Sequence, residues 1–467
     1  MTYPAVVEPR EYVERATLID YAAFLAGVAM ILVFSQAWVF PLAGDPVGTA
    51  GGGLVRALFF PGYAAGLLVL ALNPGEAVRI ALRQPLLILL MWVVAASVFW
   101  SIDPGETMRR AVALLLTTIC AIALAARFRW ARLAEVLATA FAILAVVSLL
   151  AAVLMPQLGK MQTLFPGAWR GLWSEKNAFG DNMAMGFMVI AAAAMLEPRR
   201  AKLWWPFAGL CLLLVLLSTS KTSLVACMLG VCGLALVWMV RRGPALRIIA
   251  TYGVLSAVML GIMIALVGVG TVLALLGKDA TLTGRTEIWA AIMRQIPQHP
   301  WLGFGYGAVW SNESPWAPLA WITKQGGFRP GHAHNSWLEQ WLGIGLVGLT
   351  CWAAYFLETW VRAIIALYRS VGAYLALPFL LVFSMTTLTE SIALTYNDMR
   401  WVIFVALAAK LAYPDRPAPR PPIAPMRRQP SDTVTTSAPA LRARSSSRSN
   451  APGSAPQGDG VWPTSWV

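Results

Sequence analysis

The chain has 467 residues, 58% of them hydrophobic and only 12% charged, with a mean hydropathy of +0.65. That balance belongs to a membrane protein and excludes a water-soluble chain of the same length. A formal net charge of +14 would suit nucleic acid, but the cations gather in short joints between apolar runs and in a basic tail. Topology explains them better, and no nucleic acid partner is expected.

A spanning helix needs about 20 mostly apolar residues, and such runs follow one another at 20–40, 53–72, 84–101, 110–126, 133–155, 178–196, 203–219, 221–240, 248–276, 336–357, 373–390 and 398–413. Runs such as LLVLLS and AIALAA do not alternate in polarity, which excludes a β-barrel. The expected fold is an all-α polytopic membrane protein with twelve transmembrane helices or close to it. Alternate joints are rich in Arg: Arg79 and Arg83; Arg127, Arg129 and Arg132; Arg199, Arg200 and Lys202; Arg241, Arg242 and Arg247; Arg362 and Arg369. The positive-inside rule puts these in the cytoplasm with Arg10, Arg15 and both termini. The first run lacks a small-residue cleavage site and is long enough to span, so it reads as an uncleaved anchor.

The organisation follows. Residues 1–19 form a cytoplasmic N-terminus, 20–276 carry spans one to nine, 277–335 form a long external loop, and 336–413 carry spans ten to twelve. The Pro, Ser, Ala and Arg of 414–467 read as a disordered cytoplasmic tail. Loops of that length inside a compact region usually carry function. Cys120, Cys211, Cys227, Cys232 and Cys351 all lie in apolar runs without CxxC spacing, so neither disulfides nor a zinc site is expected.

The external joints break the charge rule, for they carry Arg109, Arg110, Lys160, Arg170, Lys176, Lys221, Lys278, Arg285, Arg294, Lys324 and Arg329. In the long loop, Lys278, Arg294 and Lys324 read as solvated charges. The short joints are harder to dismiss. In RGLWSEKNAFGD, 170–181, Arg170 and Lys176 precede a span that Asn177 and Asp181 enter, and polar groups at that depth are costly unless they face a cavity or a partner. In STSKTS, 218–223, Lys221 sits at the external mouth of a tight hairpin among hydroxyls, where it either snorkels to the interface or lines a polar pocket.

The loop opens with an amphipathic helix starting near Gly284, whose Trp289, Ile292, Met293 and Ile296 share one face. Arg285 then sits at a helix N-terminus, where free N–H groups favour an anion and a guanidinium grips phosphate oxygens; pairing with Glu287 is the alternative. The glycines of HPWLGFGYGAVW, 299–310, mark a turn with room for substrate contacts, and the surrounding tryptophans form an interfacial belt or a sugar-stacking surface. GHAHNSWLEQW, 331–341, holds two of the three histidines. A histidine at the rim of a basic cavity is a natural general base. His-x-His also suits a metal, but there is no Asp-x-Asp in the chain, so metal ranks below general base.

RGLWSEKNAFGD, the Ser-Lys turn, GRTEIW, HPWLGFGYG and GHAHNSWLEQWLGIGLVGL, in that order, resemble the O-antigen ligase and polymerase superfamily, with exopolysaccharide polymerases as the most similar subgroup. The resemblance implies a multi-pass glycosyltransferase of the bacterial inner membrane, its active site facing the periplasm. Its donor would be an undecaprenyl-diphosphate-linked oligosaccharide and its acceptor the hydroxyl of a glycan or glycolipid. It further implies a metal-independent, inverting reaction without cofactors, with His334 as the base and His332 as second choice. Arg170, Lys221 and Arg285 would hold the diphosphate, and Lys176, Asn177, Glu287 and Asn335 would complete the substrate-binding set. Lys at 221 departs from the Arg frequent in the family and supplies a point charge rather than a fork. The bilayer and polysaccharide export or chain-length proteins are the other expected partners. Polymerase is favoured over ligase, which transfers to a lipid A core sugar. A transporter or lipid-glycan flippase is the competing class, and it would concentrate ionisable groups at the midplane and show repeats. Here they collect at one face, and Asp20, Arg56, Glu135 and Glu390 are exceptions near span ends or able to pair across helices.

Overall fold

The computed structural model describes residues 17–44, 52–163, 165–267, 285–312 and 314–413, apart from the side chains at 52, 54, 258, 262 and 264–267. The expectations for Arg10, Arg15, Lys278, the first part of the external loop and the 414–467 tail lie outside these residues.

Among the described residues the chain is helical without strands, with one antiparallel bridge between Lys160 and Trp169. Eight helices are long and apolar enough to cross a membrane: Val55–Leu72, Pro104–Arg127, Trp130–Leu154, Lys176–Leu196, Pro198–Leu217, Lys221–Arg242, Pro244–Gly261 and Ser336–Arg369. Leu18–Phe34 and Ala373–Thr389 are shorter apolar helices, and Met399–Ala412 is the last helix of the bundle. The run expected at 84–101 is the second arm of a pair, Pro74–Leu82 and Pro85–Trp100, bent by 88°. Each arm opens on a proline, which has no N–H to give to a preceding turn and is preorganised for a helix start.

Lys176–Leu196 is the axis of the bundle. Nearly every side chain from Phe179 to Ala194 is buried, and the helix packs against Trp130–Leu154, Ala201–Leu217, Lys221–Arg242 and Ala373–Thr389. A helix apolar all round must be enclosed, and its Ala and Gly residues let neighbours come close where lipid offers no hydrophobic drive. Gly180 shows why: a Cβ there would lie 2.5 Å from the Ser223 hydroxyl and 2.8 Å from that of Ser218. A second anchor is aromatic. Trp352, Phe383, Trp401 and Phe404 meet at centroid distances of 4.8 to 5.8 Å and tie the last three helices together.

The ends of the bundle differ. At one end the Arg-rich joints satisfy each other's neighbours: Arg127 pairs with Asp20, Arg132 and Arg200 with Glu135, and Arg241 donates to the Ser370 carbonyl. At the other end lie the Ser218–Lys221 turn, the 285–335 region and the 390–398 segment. There the described part of a helix runs over Arg285–Gln295. It buries Ile288, Ile292 and Ile296 against Leu319, Ile322 and Ala333. Met293 was expected on that face but is 46% exposed, because the buried stripe runs through Ile288 and Ala291 instead.

The glycine-rich turn is structural. Helix Ser336–Arg369 breaks at Gly345, which has φ +65°. The chain at 300–305 fills the break: Gly305 donates to the Gly343 carbonyl at 2.9 Å, and Leu346 donates to that of Pro300 at 2.9 Å. Arg110, one of the external cations, donates to the Gly307 carbonyl at 2.8 Å and is held by Glu106 at 2.6 Å. A helix break needs such replacement partners for its freed carbonyls and amides.

Candidate functional site

The site is built on a strained loop. His334 has φ +48°, a left-handed conformation that is uncommon for a side chain with a Cβ and costs of order 1–3 kcal/mol. The loop is over-determined on both sides of it. Trp289 donates to the Ala333 carbonyl at 2.9 Å, and the Ala333 amide donates to Glu339 at 2.8 Å. Trp310 and Ser391 also donate to Glu339. Asn335 caps the following helix, its Oδ1 accepting from Trp337 at 2.9 Å and Leu338 at 3.1 Å.

Glu390 completes the centre. It follows helix Ala373–Thr389, and its own carbonyl accepts from Ser336 Oγ at 2.8 Å. One carboxylate oxygen lies 3.0 Å from His334 Nδ1, and the other accepts from Arg285 at 2.6 Å. The side chains of Arg285, Glu390 and His334 are only 11%, 12% and 20% exposed. Burial pushes the Glu390 carboxyl up, but the hydrogen bond with His334 and the charge of Arg285 outweigh it and hold it down to about 2. An ionised carboxylate only accepts, so Nδ1 of His334 carries a proton, and in the neutral imidazole Nε2 presents the lone pair. His332 stacks on His334 with ring centroids 3.9 Å apart, and its Nδ1 accepts from the His334 amide at 3.2 Å. Burial, and then the neighbouring His334, lower His332 to about 3, which keeps it neutral near pH 7.

A second group faces this one. Helices Lys176–Leu196 and Lys221–Arg242 start side by side. Ser220 donates to Asn177 Oδ1 at 2.9 Å, and Ser223 donates to Asp181 at 2.7 Å. Lys176 lies over the Phe165 ring at 3.7 Å and close enough to Lys221 for the two charges to repel. Lys221 makes no hydrogen bond or ion pair among the described residues. Asp181 is fully buried, one of its oxygens has no partner, and it lies within electrostatic reach of Glu390, Arg400 and Arg285. Arg400, on the first turn of the last helix, is gripped by Asp398 at 2.9 and 3.1 Å.

The structure thus brings together His334, His332 and Arg285, and separately Lys176, Asn177 and Lys221. Glu287 is exposed and among the described residues accepts only from Thr286, while Arg285 pairs with Glu390 instead. Arg170 is spent on backbone: its guanidinium donates to the carbonyls of Leu158 at 2.9 Å and Gln157 at 3.0 Å and covers the Phe40 ring. Sequence reasoning left out Arg400 and Asp398 and treated Glu390 only as a pairing exception. The available signal was Asp398 and Arg400 opening an apolar run, as Asn177 and Asp181 do.

His332, His334 and Glu390 present ligand atoms within 4.8 Å of one another, a set that also suits a divalent cation. The donor chemistry argues otherwise. Both Glu390 oxygens and His332 Nδ1 already have partners, and a dication would sit among the charges of Arg285 and Arg400.

The fold and site define an all-α polytopic membrane protein with a one-sided constellation of imidazole, carboxylate and cations. Residues 206–353 match the family described as O-antigen ligase, a stretch that includes Lys221, Arg285, Glu287, His332, His334 and Asn335. The chain is also similar to the exopolysaccharide production protein ExoQ of Rhizobium meliloti, 28% identical over 278 residues. That alignment covers 56% of this chain and 62% of the relative. Both likenesses point the same way as the ordered motifs, toward the O-antigen ligase/polymerase superfamily.

Proposed function

We propose that the protein is a glycosyltransferase of the inner membrane that moves a glycan from a polyprenyl-diphosphate donor to an acceptor hydroxyl at the periplasmic face, as a polymerase. The observation that carries this reading is the His334–Glu390–Arg285 constellation, with Nε2 of His334 unpartnered among the described residues. The Arg-rich end opposite it belongs in the cytoplasm by the positive-inside rule, which turns the constellation outward.

In the proposed reaction the acceptor oxygen attacks the anomeric carbon and its proton passes to His334 Nε2. Glu390, ionised beside Nδ1, stabilises the imidazolium that forms. The bond to the diphosphate breaks in the same displacement, which inverts the anomeric configuration. The departing charge needs cations in place before the reaction. Lys176 and Lys221, at two helix N-termini, supply point charges, and Arg285 gives only one N–H to Glu390, leaving others to grip oxygen. These cations take the place a metal fills elsewhere.

The test is incubation of the protein in lipid with a radiolabelled undecaprenyl-diphosphate oligosaccharide, with and without chelator. A chelator-resistant ladder of longer lipid-linked glycans is the expected result. A single transfer that needs lipid A core would replace polymerase with ligase. Labelled lipid crossing the bilayer without transfer would overturn the enzyme reading.

A further inference from the structure

Two cations that read as incidental in the sequence stand together in the structure. Helix Pro318–Gly326 turns Leu319 and Ile322 into the small core shared with helix Arg285–Gln295. Its opposite face carries Trp321, Lys324 and Gln325 at i, i+3 and i+4, the spacing that aligns side chains on one stripe. With Arg294 and Gln295 from the other helix they line an open cleft of about 360 Å³, within the size range of small-molecule sites.

Among the described residues the lining has no carboxylate. Arg294 makes no hydrogen bond or ion pair among the described residues, and Lys324 contacts only the Trp321 ring, at 5.4 Å. Two cations in one concavity, without a carboxylate partner among the described residues, raise the local potential and draw an anion. Gln295 is only 7% exposed and has its Oε1 occupied by Gln298 at 2.9 Å, which commits its amide N–H₂ as a donor. Trp321 is 44% exposed and offers a flat apolar face. Phosphate alone would need the cations but not the indole, and a neutral sugar would need the indole and amides but not two cations.

We propose that this cleft is a subsite for an acidic glycan: a carboxylate-bearing pyranose stacked on Trp321, with its carboxylate between Arg294 and Lys324. The identity of the ligand as glycan rests on the function proposed above. The same small core seats Ala333, between His332 and His334, so a chain held here is anchored to the element that carries the base. The cleft would hold the acceptor or the growing product between transfers.

The test is calorimetric titration of the full-length protein, in nanodiscs of zwitterionic lipid, with trigalacturonate and with its fully methyl-esterified form. The acid should bind at least about tenfold more tightly than the ester, the scale of one hydrogen bond to a charged group. An Arg294→Gln/Lys324→Gln protein should lose that preference, and Trp321→Ala should weaken both ligands. Equal binding of acid and ester, binding of neither, a preference kept by the double variant, or displacement of the acid by an equal concentration of inorganic phosphate would overturn the proposal. No donor is present in this titration and no transfer takes place in it. A failed transfer assay therefore stays separate from a failed subsite.

Discussion

Glu135 and Glu390 are two carboxylates, each held between two partners, at opposite ends of one bundle. Glu135 accepts from Arg132 at 2.6 Å and Arg200 at 2.7 Å. Glu390 accepts from Arg285 at 2.6 Å and lies 3.0 Å from His334 Nδ1. Arginine stays protonated, so the Glu135 cluster can only join helices. Replacing one arginine by a histidine on a strained loop changes what the same charge arrangement can do, because an imidazole passes a proton at neutral pH. Charge pairing alone therefore does not mark a candidate site; a partner able to carry a proton, with a nitrogen unpartnered among the described residues, does.

The largest effect expected to separate the two clusters is from His334→Ala, which should lower transfer by about 10²- to 10⁴-fold while insertion and melting temperature hold. Glu135→Gln should do the reverse, lowering the melting temperature with specific activity kept. An active His334→Ala protein, or a stable but inactive Glu135→Gln protein, would erase the contrast.

Glu390→Gln comes next, with kcat down by about 10²-fold or more. It also has a pH signature. The carboxyl sits at about 2 in the folded protein against about 4.3 when exposed. A lowered carboxyl contributes stability that is complete above about 4.3 and is lost as pH falls through about 2. The melting temperature of the wild type should drop more steeply than that of Glu390→Gln between pH 5 and pH 2.5, and parallel curves would place the carboxylate elsewhere. His332 acts in a neighbouring window. Its folded value of about 3 lies below the ordinary 6.5 of an imidazole, so the unfolded chain takes up the proton first and stability falls from about pH 6.5 downward. His332→Asn should flatten that part of the curve.

A smaller effect is expected at the second group, around Lys176 and Lys221. Lys221→Ala should raise KM for the lipid-linked donor by about tenfold with a lesser change in kcat, and Lys221→Arg should restore it. An unchanged KM would return Lys221 to an interfacial role.

The membrane architecture was legible because hydropathy and Arg placement are local signals: Lys176–Leu196 and Lys221–Arg242 start within two residues of the expected spans. His334 and Arg285 stood out as candidates for the same reason, each lying in its own motif. Their common partner was not, since Glu390 lies 56 residues from His334 and 105 from Arg285, and only the packing of separate helices brings them together. The cap made by Asn335 was readable in principle, as Asn before a helix start is a strong N-cap signal. The bent pair at Leu82 and Pro85 and the insertion of 300–305 into the Gly345 break are tertiary events with no periodic trace.

Arg170 gives the smallest and most discriminating test, because sequence and geometry assign it different work. As a diphosphate ligand its loss would raise KM for the donor, as loss of Lys221 should. As a clamp it holds the carbonyls of Gln157 and Leu158, while the Arg170 and Gly171 amides donate to the Gly159 carbonyl at 2.9 and 3.0 Å. Those contacts close the 156–171 loop beneath Trp173, whose indole donates to the Ser35 carbonyl. Two charged hydrogen bonds to partly exposed carbonyls are worth about 1–3 kcal/mol together. Arg170→Ala should therefore lower the melting temperature modestly and leave KM unchanged, and Arg170→Lys should recover little, since one ammonium cannot span both carbonyls. A tenfold rise in KM at unchanged stability would mean that the guanidinium leaves these carbonyls when the donor binds, and Arg170 would join the lysines.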